Sequence, residues 1–357
     1  MKERIETKRL ILRSWKDEDA GELYRYAKDD RVGPIAGWPI HTSVENSREI
    51  IREVLSAEGT YAVVLKETNL PIGSIGLMRG KASNIEIPDT EAEIGYWIGV
   101  PYWGKGLIPE AVRELMRYAF DELKLDKLWC GYFDGNAKSY RVQEKCGFIY
   151  HHTNENIFWP VTGDIRTEHI TCITRNQWKG AIVETPRLYL RKMTQDDFPQ
   201  LCKILQDSEV MYAYEGAFCD EEAQEWMDRQ LKRYEEYGNF GLWAVILKET
   251  DAMIGQCGLT MQDGGGMQVL EIGYLFQKAY WHEGYASEAA GACKKYAFDT
   301  LQAEEVFSII RDTNTASRNV AVRNGMTIWG ELMKHYKGID MRHIIYSVKK
   351  SGDSDLK

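Results

Sequence analysis

The chain has 357 residues, of which 44% are hydrophobic and 28% are charged, and 54 acidic residues against 45 basic ones give a net charge of −9. This length and composition are typical of a folded protein of two or three domains and exclude a disordered, collagen-like or low-complexity chain. The acidic balance, with no basic stripe, also argues against nucleic acid as a partner, because duplex binding depends on neutralising phosphates.

Neither a membrane span nor a secreted protein is expected. No run reaches the roughly 18 apolar residues that a span requires, and the opening MKERIETKRL lacks the apolar core of a signal peptide. The cysteines are scattered and contain no C-x-x-C spacing, which predicts reduced thiols, a cytoplasmic protein and no metal site. They are Cys130, Cys146, Cys172, Cys202, Cys219, Cys257 and Cys293.

The first half of the chain contains both strand and helix patterns. Apolar and polar residues alternate over Arg9–Trp15, which predicts a half-buried strand, and Asp17 is a typical cap for a helix that continues to about Asp29. The later patterns predict helices over Ser43–Ala57, Lys105–Glu122 and Ala137–Lys145, and strands over Tyr61–Leu65, Ile72–Leu77, Glu93–Val100, Lys127–Gly131, Phe148–His152 and Glu168–Thr174. This order indicates an α/β (α+β) domain with a mixed, mostly antiparallel sheet and flanking helices.

The second half repeats the first. The segment Thr7–Arg13 returns as Thr185–Arg191, an offset of 178 residues, and Glu93–Tyr96 returns as Glu271–Tyr274 at the same offset. A period this long indicates a duplicated domain, so we expect domains over residues 1–178 and 183–350. The repeated strands are predicted near Arg187–Met193, Leu242–Lys248, Met253–Thr260, Val269–Phe276, Val306–Arg311, Thr327–Met333 and Met341–Val348.

A glycine loop follows the strand Glu93–Val100. It reads Y-W-G-K-G over residues 102–106 and leads into a helix that opens with Glu110 and Ala111. Glycines at the start of a helix allow several backbone N–H groups to converge on an anion such as a pyrophosphate, and the helix dipole adds to the attraction. A tight strand-to-helix turn is the simpler alternative.

Four motifs together resemble the GNAT superfamily of N-acetyltransferases. They are the strand E-I-G-Y-W, the loop Y-W-G-K-G, the segment G-N-A-K-S-Y-R-V-Q-E-K-C-G-F, and the opening T-x-R-L-x-L-R of each copy. The opening is similar to that of the Rim-type branch, which acetylates the N-termini of ribosomal proteins and includes many small-molecule acetyltransferases. The resemblance covers both copies over nearly their full length.

The resemblance implies acetyl-CoA as the cosubstrate. In the first copy the implied binding residues are Ile98, Val100, Trp103, Gly104, Lys105, Gly106, Leu107, Asn136 and Ser139, and in the second copy they are Trp281, Gly284, Tyr285, Asn314 and Ser317. The strand Glu93–Val100 is expected to diverge from Lys127–Gly131, with the thioester in the gap and a backbone N–H of the first strand as its oxyanion donor.

The second copy departs from the first in the loop. His282 replaces Gly104 and Glu283 replaces Lys105. If the first of these positions requires a positive φ, a residue other than glycine costs on the order of 1–2 kcal/mol, and the second substitution places a negative charge near a phosphate. We therefore expect weaker cosubstrate binding in the second copy and catalysis in the first.

The acid and base of the reaction are less well marked. The family's tyrosine, in the pattern N-x-x-A-x-x-L-Y, is absent from both copies, since its positions hold Gln143 and Ala321. Ser139 or Tyr140 could protonate the leaving thiolate instead. The thiolate needs little help to leave, because the pKa of a thiol is low compared with that of an amine or an alcohol. Glu93, with Glu271 as its counterpart, is the candidate base acting through water; a solvated strand end is the alternative for each.

The proposed reaction is direct transfer to a primary amine, and the acceptor remains open between a protein N-terminus and a small amine such as a polyamine or aminocyclitol. The lower cost of deprotonating an α-amino group slightly favours the N-terminus. The aromatic segments around Trp38 and Phe158–Trp159 could form the wall of the acceptor pocket or pack against the other copy. A non-catalytic acyl-CoA sensor or scaffold with a degenerate second domain is the alternative function, and a homodimer is a further hypothesis.

Overall fold

The structure, a computed structural model, describes residues 1–214, 216–238, 240–336 and 338–350. The chain divides into two units, the first formed by residues 1–178 and the second beginning at Lys179. Each unit contains one eight-stranded sheet. The predicted fold class, a tandem pair of mixed and mostly antiparallel sheets with flanking helices, is therefore confirmed.

The sheet of the first unit follows the order β1-β2-β3-β4-β5-β6-β8-β7. All neighbouring strands are antiparallel except β5 and β6, which are parallel. The strands are β1 (Arg4–Glu6), β2 (Leu10–Arg13), β3 (Thr60–Leu65), β4 (Leu70–Met78), β5 (Glu91–Ile98), β6 (Lys127–Phe133), β7 (Ile149–Trp159) and β8 (Asp164–Thr174).

Helices cover both faces of this sheet. On one face α4 buries Val112 and Leu115 against strand residues such as Leu10, and on the other α1 buries Leu23 against Val64. Strands covered on both faces are apolar almost throughout, as β4 is. The helices are α1 (Ala20–Ala27), α2 (Gly33–Ala36), α3 (Val44–Ile50), α4 (Leu107–Arg117), α5 (Ala137–Lys145) and α6 (Arg175–Trp178), with π-helical turns over Ile51–Leu55 and Tyr118–Glu122 extending α3 and α4.

The second unit has the same plan, with the sheet order β15-β16-β14-β13-β12-β11-β10-β9. Here β13 and β14 form the parallel pair. The strands are β9 (Ala181–Glu184), β10 (Leu188–Arg191), β11 (Leu242–Leu247), β12 (Ala252–Asp263), β13 (Gln268–Phe276), β14 (Glu305–Arg311), β15 (Thr327–Tyr336) and β16 (Ile339–Lys349); the helices are α7 (Phe198–Leu205), α8 (Asp220–Tyr237), α9 (Tyr285–Asp299) and α10 (Thr315–Arg323).

The sequence patterns missed two short edge strands and two short helices. Strands β1 and β9 and helices α2 and α6 have three or four residues each, too few for a periodic pattern to develop. Strand β9 contains Val183, the residue at which the second domain was expected to begin. The strand predicted over Phe148–His152 is too short, because β7 extends to Trp159 and so includes the aromatic residues Phe158 and Trp159.

The thiols of all seven cysteines are free, and four of them are buried. Among the described residues, no group of histidines, cysteines and carboxylates is arranged to hold a metal ion. No helix in the described ranges has the length and apolar character needed to cross a membrane.

Candidate active site

The glycine loop has the left-handed backbone that its sequence suggested. Gly104 has φ of +74° and Gly106 has φ of +70°, and Gly106 is the residue that caps α4. A Cβ at Gly104 would meet no atom within 4 Å. Glycine is therefore needed at position 104 for its backbone conformation and not for space.

The backbone amides of this loop are free to bind an anion. The N–H of Trp103 donates to the carbonyl of Val100, and the N–H of Glu110 donates to the carbonyl of Gly106. Between these two bonds, the N–H groups of residues 104–108 donate to no backbone carbonyl in the part of the chain that the structure describes. They lie at the N-terminus of α4, where the helix dipole favours negative charge.

Two residues near the start of the chain hold the loop in place through hydrogen bonds. Arg9 donates from Nη1 to the carbonyl of Lys105 at 3.0 Å and from Nη2 to that of Gly106 at 3.2 Å. Its Nε donates to Glu110 at 2.6 Å, and Thr7 Oγ1 donates to the same carboxylate at 2.5 Å. Burial opposes ionisation of Glu110, but these donors outweigh it and lower its pKa. This explains the T-x-R signature, whose role the sequence did not reveal.

Helix α5 begins beside the same loop. Trp103 donates its indole N–H to the carbonyl of Ile98 at 2.9 Å, and the Lys138 ammonium lies 3.5 Å from the centre of the Trp103 ring. Asn136 caps α5 through its Oδ1, which accepts from the N–H of Ser139 at 3.1 Å. The predicted residues 98–107 and 136–139 of the first domain are thus brought together, with the Asn136 oxygen already used by the cap.

The loop of the second domain has the same backbone with different side chains. His282 has φ of +66° and Gly284 has φ of +80°, Trp281 donates to the carbonyl of Phe276 at 3.0 Å, and Arg187 donates to that of Glu283 at 3.0 Å. Position 282 therefore adopts a conformation that costs a histidine on the order of 1–2 kcal/mol. The predicted Tyr285 is the first residue of α9.

The charges around the two loops also differ. At the offset of 178 residues, Lys105 and Lys138 of the first domain correspond to Glu283 and Ala316 of the second. Two positive side chains are replaced by one negative and one neutral side chain. An anion is therefore attracted less strongly to the second loop.

The parallel strands diverge in both domains. Strands β5 and β6 pair only where Glu91–Glu93 face Lys127–Trp129, and β13 and β14 pair only where Glu271 faces Phe307. Beyond these positions β5 pairs with β4, and β6 pairs with β8. The backbone groups on the facing edges of β5 and β6 are thereby left available, as a gap for an acyl group requires.

Ser139 is linked to β5 by a tyrosine that the sequence did not single out. The Tyr96 hydroxyl lies 3.0 Å from the Ser139 carbonyl oxygen and 3.1 Å from its Oγ. Burial raises the pKa of Tyr96 well above its usual value. Tyr140, in contrast, is 42% exposed, with its ring 5.4 Å from that of Tyr132. In the second domain the hydroxyl of Tyr274 donates to the carbonyl of Ser317 at 2.9 Å.

Gln143, at the position of the family's tyrosine, is a buried structural residue. Its Nε2 donates to the carbonyl of Gly131 at 3.1 Å and to Ser139 Oγ at 3.2 Å, and its Oε1 accepts from Thr171 at 2.8 Å. The counterpart Ala321 is buried as well. Neither side chain can supply a proton as a tyrosine would.

Glu93 is buried and fully hydrogen-bonded. Only 4% of it is exposed, and its carboxylate accepts from Ser83 Oγ at 2.9 Å, from the N–H of Asn84 at 2.7 Å and from Asn84 Nδ2 at 3.2 Å. The alternative of a solvated strand end is therefore wrong for this residue. Both carboxylate oxygens are engaged by the segment that precedes β5.

A second carboxyl, Glu168, was missed; it lies on β8, which pairs with β6 on the side away from β5. It is buried on β8, with its Oε1 only 2.5 Å from where a Cβ on Gly131 would stand. Burial, followed by the nearby charge of Glu93, raises the pKa of Glu168 to about 7. The available signal was a single carboxylate in a strand predicted to be otherwise mostly uncharged, next to a glycine on the neighbouring strand.

Aromatic side chains contact one another near the ends of β5 and β6 in the first domain. The Trp38 ring lies 5.5 Å from that of Trp97 on β5, and Trp159 donates to the carbonyl of Gly37 at 2.7 Å. The Trp159 ring also lies 4.9 Å from that of Phe133 at the end of β6. The two aromatic segments singled out in the sequence therefore meet within one domain, at the ends of the diverging strands.

In the second domain the gap opens into a cavity of about 390 Å³. Three predicted residues, Glu271, Asn314 and Ser317, line it together. Glu271 accepts from the N–H of Ile309 on β14 at 3.0 Å, and burial raises its pKa although this N–H and Lys334 act in the opposite direction. Asn314 caps α10 by accepting from the N–H of Ser317 at 3.0 Å, as Asn136 does in the first domain.

Known proteins resemble the chain on the same two stretches. Residues 9–149 and again 187–327 match the family described as "Acetyltransferase (GNAT) domain". The uncharacterized protein YkkB of Bacillus subtilis (strain 168) is 36% identical over 143 residues, which is 40% of this chain and 83% of YkkB. The uncharacterized N-acetyltransferase p20 of Bacillus licheniformis is 32% identical over 151 residues, 41% of this chain and 82% of p20.

A third relative is YdaF of Bacillus subtilis (strain 168), which carries the provisional name of a ribosomal N-acetyltransferase. It is 36% identical over 113 residues, 30% of this chain and 58% of YdaF. The family match includes both glycine loops and both diverging strand pairs. The chain therefore belongs to the GNAT family of N-acetyltransferases and carries two copies of its domain.

Proposed function

We propose that the chain transfers an acetyl group from acetyl-CoA to a primary amine, and that the first domain performs the reaction. The observation that carries this proposal is the loop of residues 104–108, which follows β5 and whose amides donate to no backbone carbonyl of the described residues. Lys105 lies within this loop, and Lys138 lies over the ring of the adjacent Trp103. In the second domain the corresponding loop has a strained histidine and a glutamate.

The residues around the first loop fit a pyrophosphate. Backbone N–H groups of residues 104–108 at the helix N-terminus would hold it, with Lys105 and Lys138 supplying positive charge. Bound acetyl-CoA supplies the activated acyl carbon. An N–H on the free edge of β5 is the oxyanion donor in this proposal.

Glu168 is the best-placed base. A lysine-like amine must lose a proton at a cost of roughly 4.6 kcal/mol at pH 7, whereas an α-amino group costs about 1 kcal/mol. A carboxyl with a pKa of about 7 is half ionised at neutral pH and can accept that proton. Glu93, the base expected from the sequence, has both oxygens engaged by Ser83 and Asn84, so its proposed role is to hold its charge next to Glu168.

The departing thiolate needs little assistance, because a thiol has a pKa near 8.5. Ser139 Oγ and the Tyr96 hydroxyl, 3.1 Å apart, form the hydroxyl pair beside the gap. We propose that this pair donates the hydrogen bond to the sulfur. Tyr140 is a weaker candidate, because it is exposed and its ring packs at a tilt against that of Tyr132.

The acceptor is proposed to be an α-amino group at a protein N-terminus. The buried carboxyls of Glu93 and Glu168 favour a cationic amine approaching the gap, and the low deprotonation cost favours an α-amino group. The provisional name of YdaF points in the same direction. A small amine is the second candidate for the acceptor.

Two further proposals concern the whole protein. The free thiols support a cytoplasmic location, and a homodimer stays a prediction.

The test is an acceptor screen read by product mass. Product mass is preferred to a dye that detects the released CoA thiol, because the exposed Cys219 would react with such a dye as well. The panel contains acetyl-CoA with peptides that have a free N-terminus, the same peptides already N-acetylated, spermidine and an aminocyclitol. A mass gain of one acetyl group on the free-N-terminus peptides supports the proposal, and tight CoA binding without any acetylated product supports the non-catalytic alternative.

Variants assign the reaction to a domain. The double variant Gly104→His with Lys105→Glu gives the first loop the residues of the second loop, and it is expected to abolish most of the turnover. The matched exchange in the other domain, Glu283→Lys with His282→Gly, should leave the turnover of the first domain unchanged. Loss of turnover confined to variants of the second loop would contradict the assignment.

A further inference from the structure

The cavity of the second domain contains features that acetyl-CoA binding does not explain. Besides the gap residues, its walls come from α8, β12, β14, β15 and β16. Its volume of about 390 Å³ lies within the range of small-molecule sites, roughly 300–1,000 Å³. These walls carry polar and positively charged side chains that are specific to this domain.

One wall holds a buried hydrogen-bond donor without a partner. Gln256 on β12 has no exposed surface, and its Oε1 accepts from the indole N–H of Trp226 at 3.1 Å. Because an indole nitrogen can only donate, this bond fixes the orientation of the amide. Nε2 of Gln256 has no hydrogen-bond partner among the described residues. A buried donor left unpaired is unfavourable, so an acceptor atom of a ligand would complete the wall.

Positive charge dominates the lining. Arg229, Arg233, Arg311 and Lys334 line the cavity, and Glu271 is its one carboxylate within the described residues. Arg233 donates to the neutral Gln230 side chain at 3.0 Å, and Arg229 lies 3.9 Å from the carboxylate of the exposed Glu225. Lys334 and Arg233 line the same cavity as Glu271, and their charges oppose the rise in its pKa.

The first domain has a carboxyl at a position where the second domain has a neutral side chain. Glu168 pairs with Phe133 on the neighbouring strand of the first domain. Phe133 corresponds to Arg311 at the offset of 178 residues. Arg311 pairs with His343 on the neighbouring strand of the second domain, so His343 occupies the place of Glu168. Burial lowers the pKa of His343, so its imidazole is neutral at neutral pH. A carboxyl that favours a cation in the first domain is therefore replaced in the second by a residue without negative charge.

We infer that the cavity of the second domain binds a small organic anion through its carboxylate, with Arg233 and Lys334 as the charged partners and the Gln256 amide as a neutral donor. The two domains of the chain thus present binding sites of opposite charge preference. This inference concerns binding alone and holds whether or not the first domain catalyses acetyl transfer.

Calorimetric titration of the full chain without acetyl-CoA tests the inference. The probes are acetate, succinate, L-glutamate and citrate, with inorganic phosphate and putrescine as contrasts. We expect one saturable site for at least one carboxylate, with dissociation constants in the range of about 1 mM or below. No saturable carboxylate binding, tighter putrescine binding, or equal phosphate binding with the same dependence on Arg233 would overturn it.

Variants locate the bound anion. Arg233→Met and Lys334→Met should each weaken carboxylate binding roughly tenfold or more, since each removes a charge-assisted hydrogen bond. Gln256→Glu keeps an acceptor for Trp226 and places a negative oxygen where the donor was, so it should also weaken binding about tenfold. Lys232→Met is the matched control, because Lys232 neighbours Arg233 on α8 but is 74% exposed and absent from the lining.

The control should bind within a factor of about two of the unmodified chain. Thermal melting of every variant confirms folding, and Arg233→Lys, which retains the charge, should recover part of the affinity if Arg233→Met is too unstable to titrate. Equal losses in Lys232→Met and Arg233→Met would place the anion elsewhere and overturn the inference.

Discussion

Arg9 donates its Nε–H to the carboxylate of Glu110 at 2.6 Å, which joins the residue that precedes β2 to the first turn of α4. The same guanidinium also bonds the loop carbonyls of Lys105 and Gly106. The loop that presents the free amides is therefore held by a residue more than ninety positions earlier in the chain. The arrangement recurs at Arg187 and Glu288, with a distance of 2.7 Å.

Glu110→Gln is expected to loosen the first loop. Because the Arg9 side chain is 43% exposed, solvent screens the pair, and we expect a loss of about 1 kcal/mol. The Michaelis constant for acetyl-CoA should rise roughly fivefold with little change in kcat. Glu288→Gln in the second domain is the control and should leave this constant unchanged; an equal effect of both variants would show that they act through general destabilisation.

Gly104→Ala should destabilise the first domain by about 1 kcal/mol, because φ of +74° is unfavourable for any residue with a Cβ. No steric clash adds to this cost, since the space around position 104 is empty. Urea unfolding measures the change. A clash-driven loss of several kcal/mol, or no loss at all, would contradict the conformational explanation.

The lysines near the first loop are expected to control the affinity for CoA. Lys138→Ala should weaken CoA binding about threefold at low salt, and the difference should shrink as salt screens the charge. Glu283→Lys combined with Ala316→Lys transfers the charges to the second loop and should strengthen binding there. A titration that shows no salt dependence for Lys138→Ala would exclude an electrostatic role.

The pH dependence of catalysis should report Glu168. Below about pH 7 this carboxyl is protonated and cannot accept a proton from the amine; above it, the carboxylate can. The rate should therefore rise with pH and level off above about 7, and Glu168→Gln should abolish that limb and lower kcat by roughly 10²–10⁴-fold. A variant that keeps both the limb and the rate would assign the base elsewhere.

Stability provides an independent readout of the same carboxyl. Its pKa is raised from 4.5 to about 7 on folding, so the folded protein binds the proton more tightly than the unfolded chain. Below about pH 4.5 the carboxyl is protonated in both the folded and the unfolded chain, so it does not change the free energy of unfolding with pH. Between about pH 4.5 and 7 the unfolded chain loses this proton before the folded protein does, which lowers the free energy of unfolding. Relative to the unmodified chain, Glu168→Gln should gain up to about 3 kcal/mol between pH 4.5 and 8, measured by urea unfolding.

Much of the first site could be predicted because it depends on local backbone chemistry. The glycines at 104 and 106, the helix Ala137–Lys145 and the strand predicted over Glu93–Val100, found as Glu91–Ile98, lie within short stretches of chain. Their residue types restrict the backbone directly. The same reasoning extended to His282, whose positive φ follows from the position it shares with Gly104. It could not reveal the environment of Glu93, because Ser83 and Asn84 approach it through a loop without a periodic pattern.

The sequence by itself determined the duplication, the fold of each copy and the difference between the two glycine loops, since repeats, periodicity and glycine positions are properties of the linear chain. Only the tertiary structure decided which carboxyl has a raised pKa and which cavity is positively charged. The pKa of Glu168 is raised by burial and by Glu93 on a different strand. Because Gln256 accepts from Trp226 on a helix, its Nε2 is left without a partner among the described residues. Burial and charge proximity depend on distances in space, which separation along the chain does not specify.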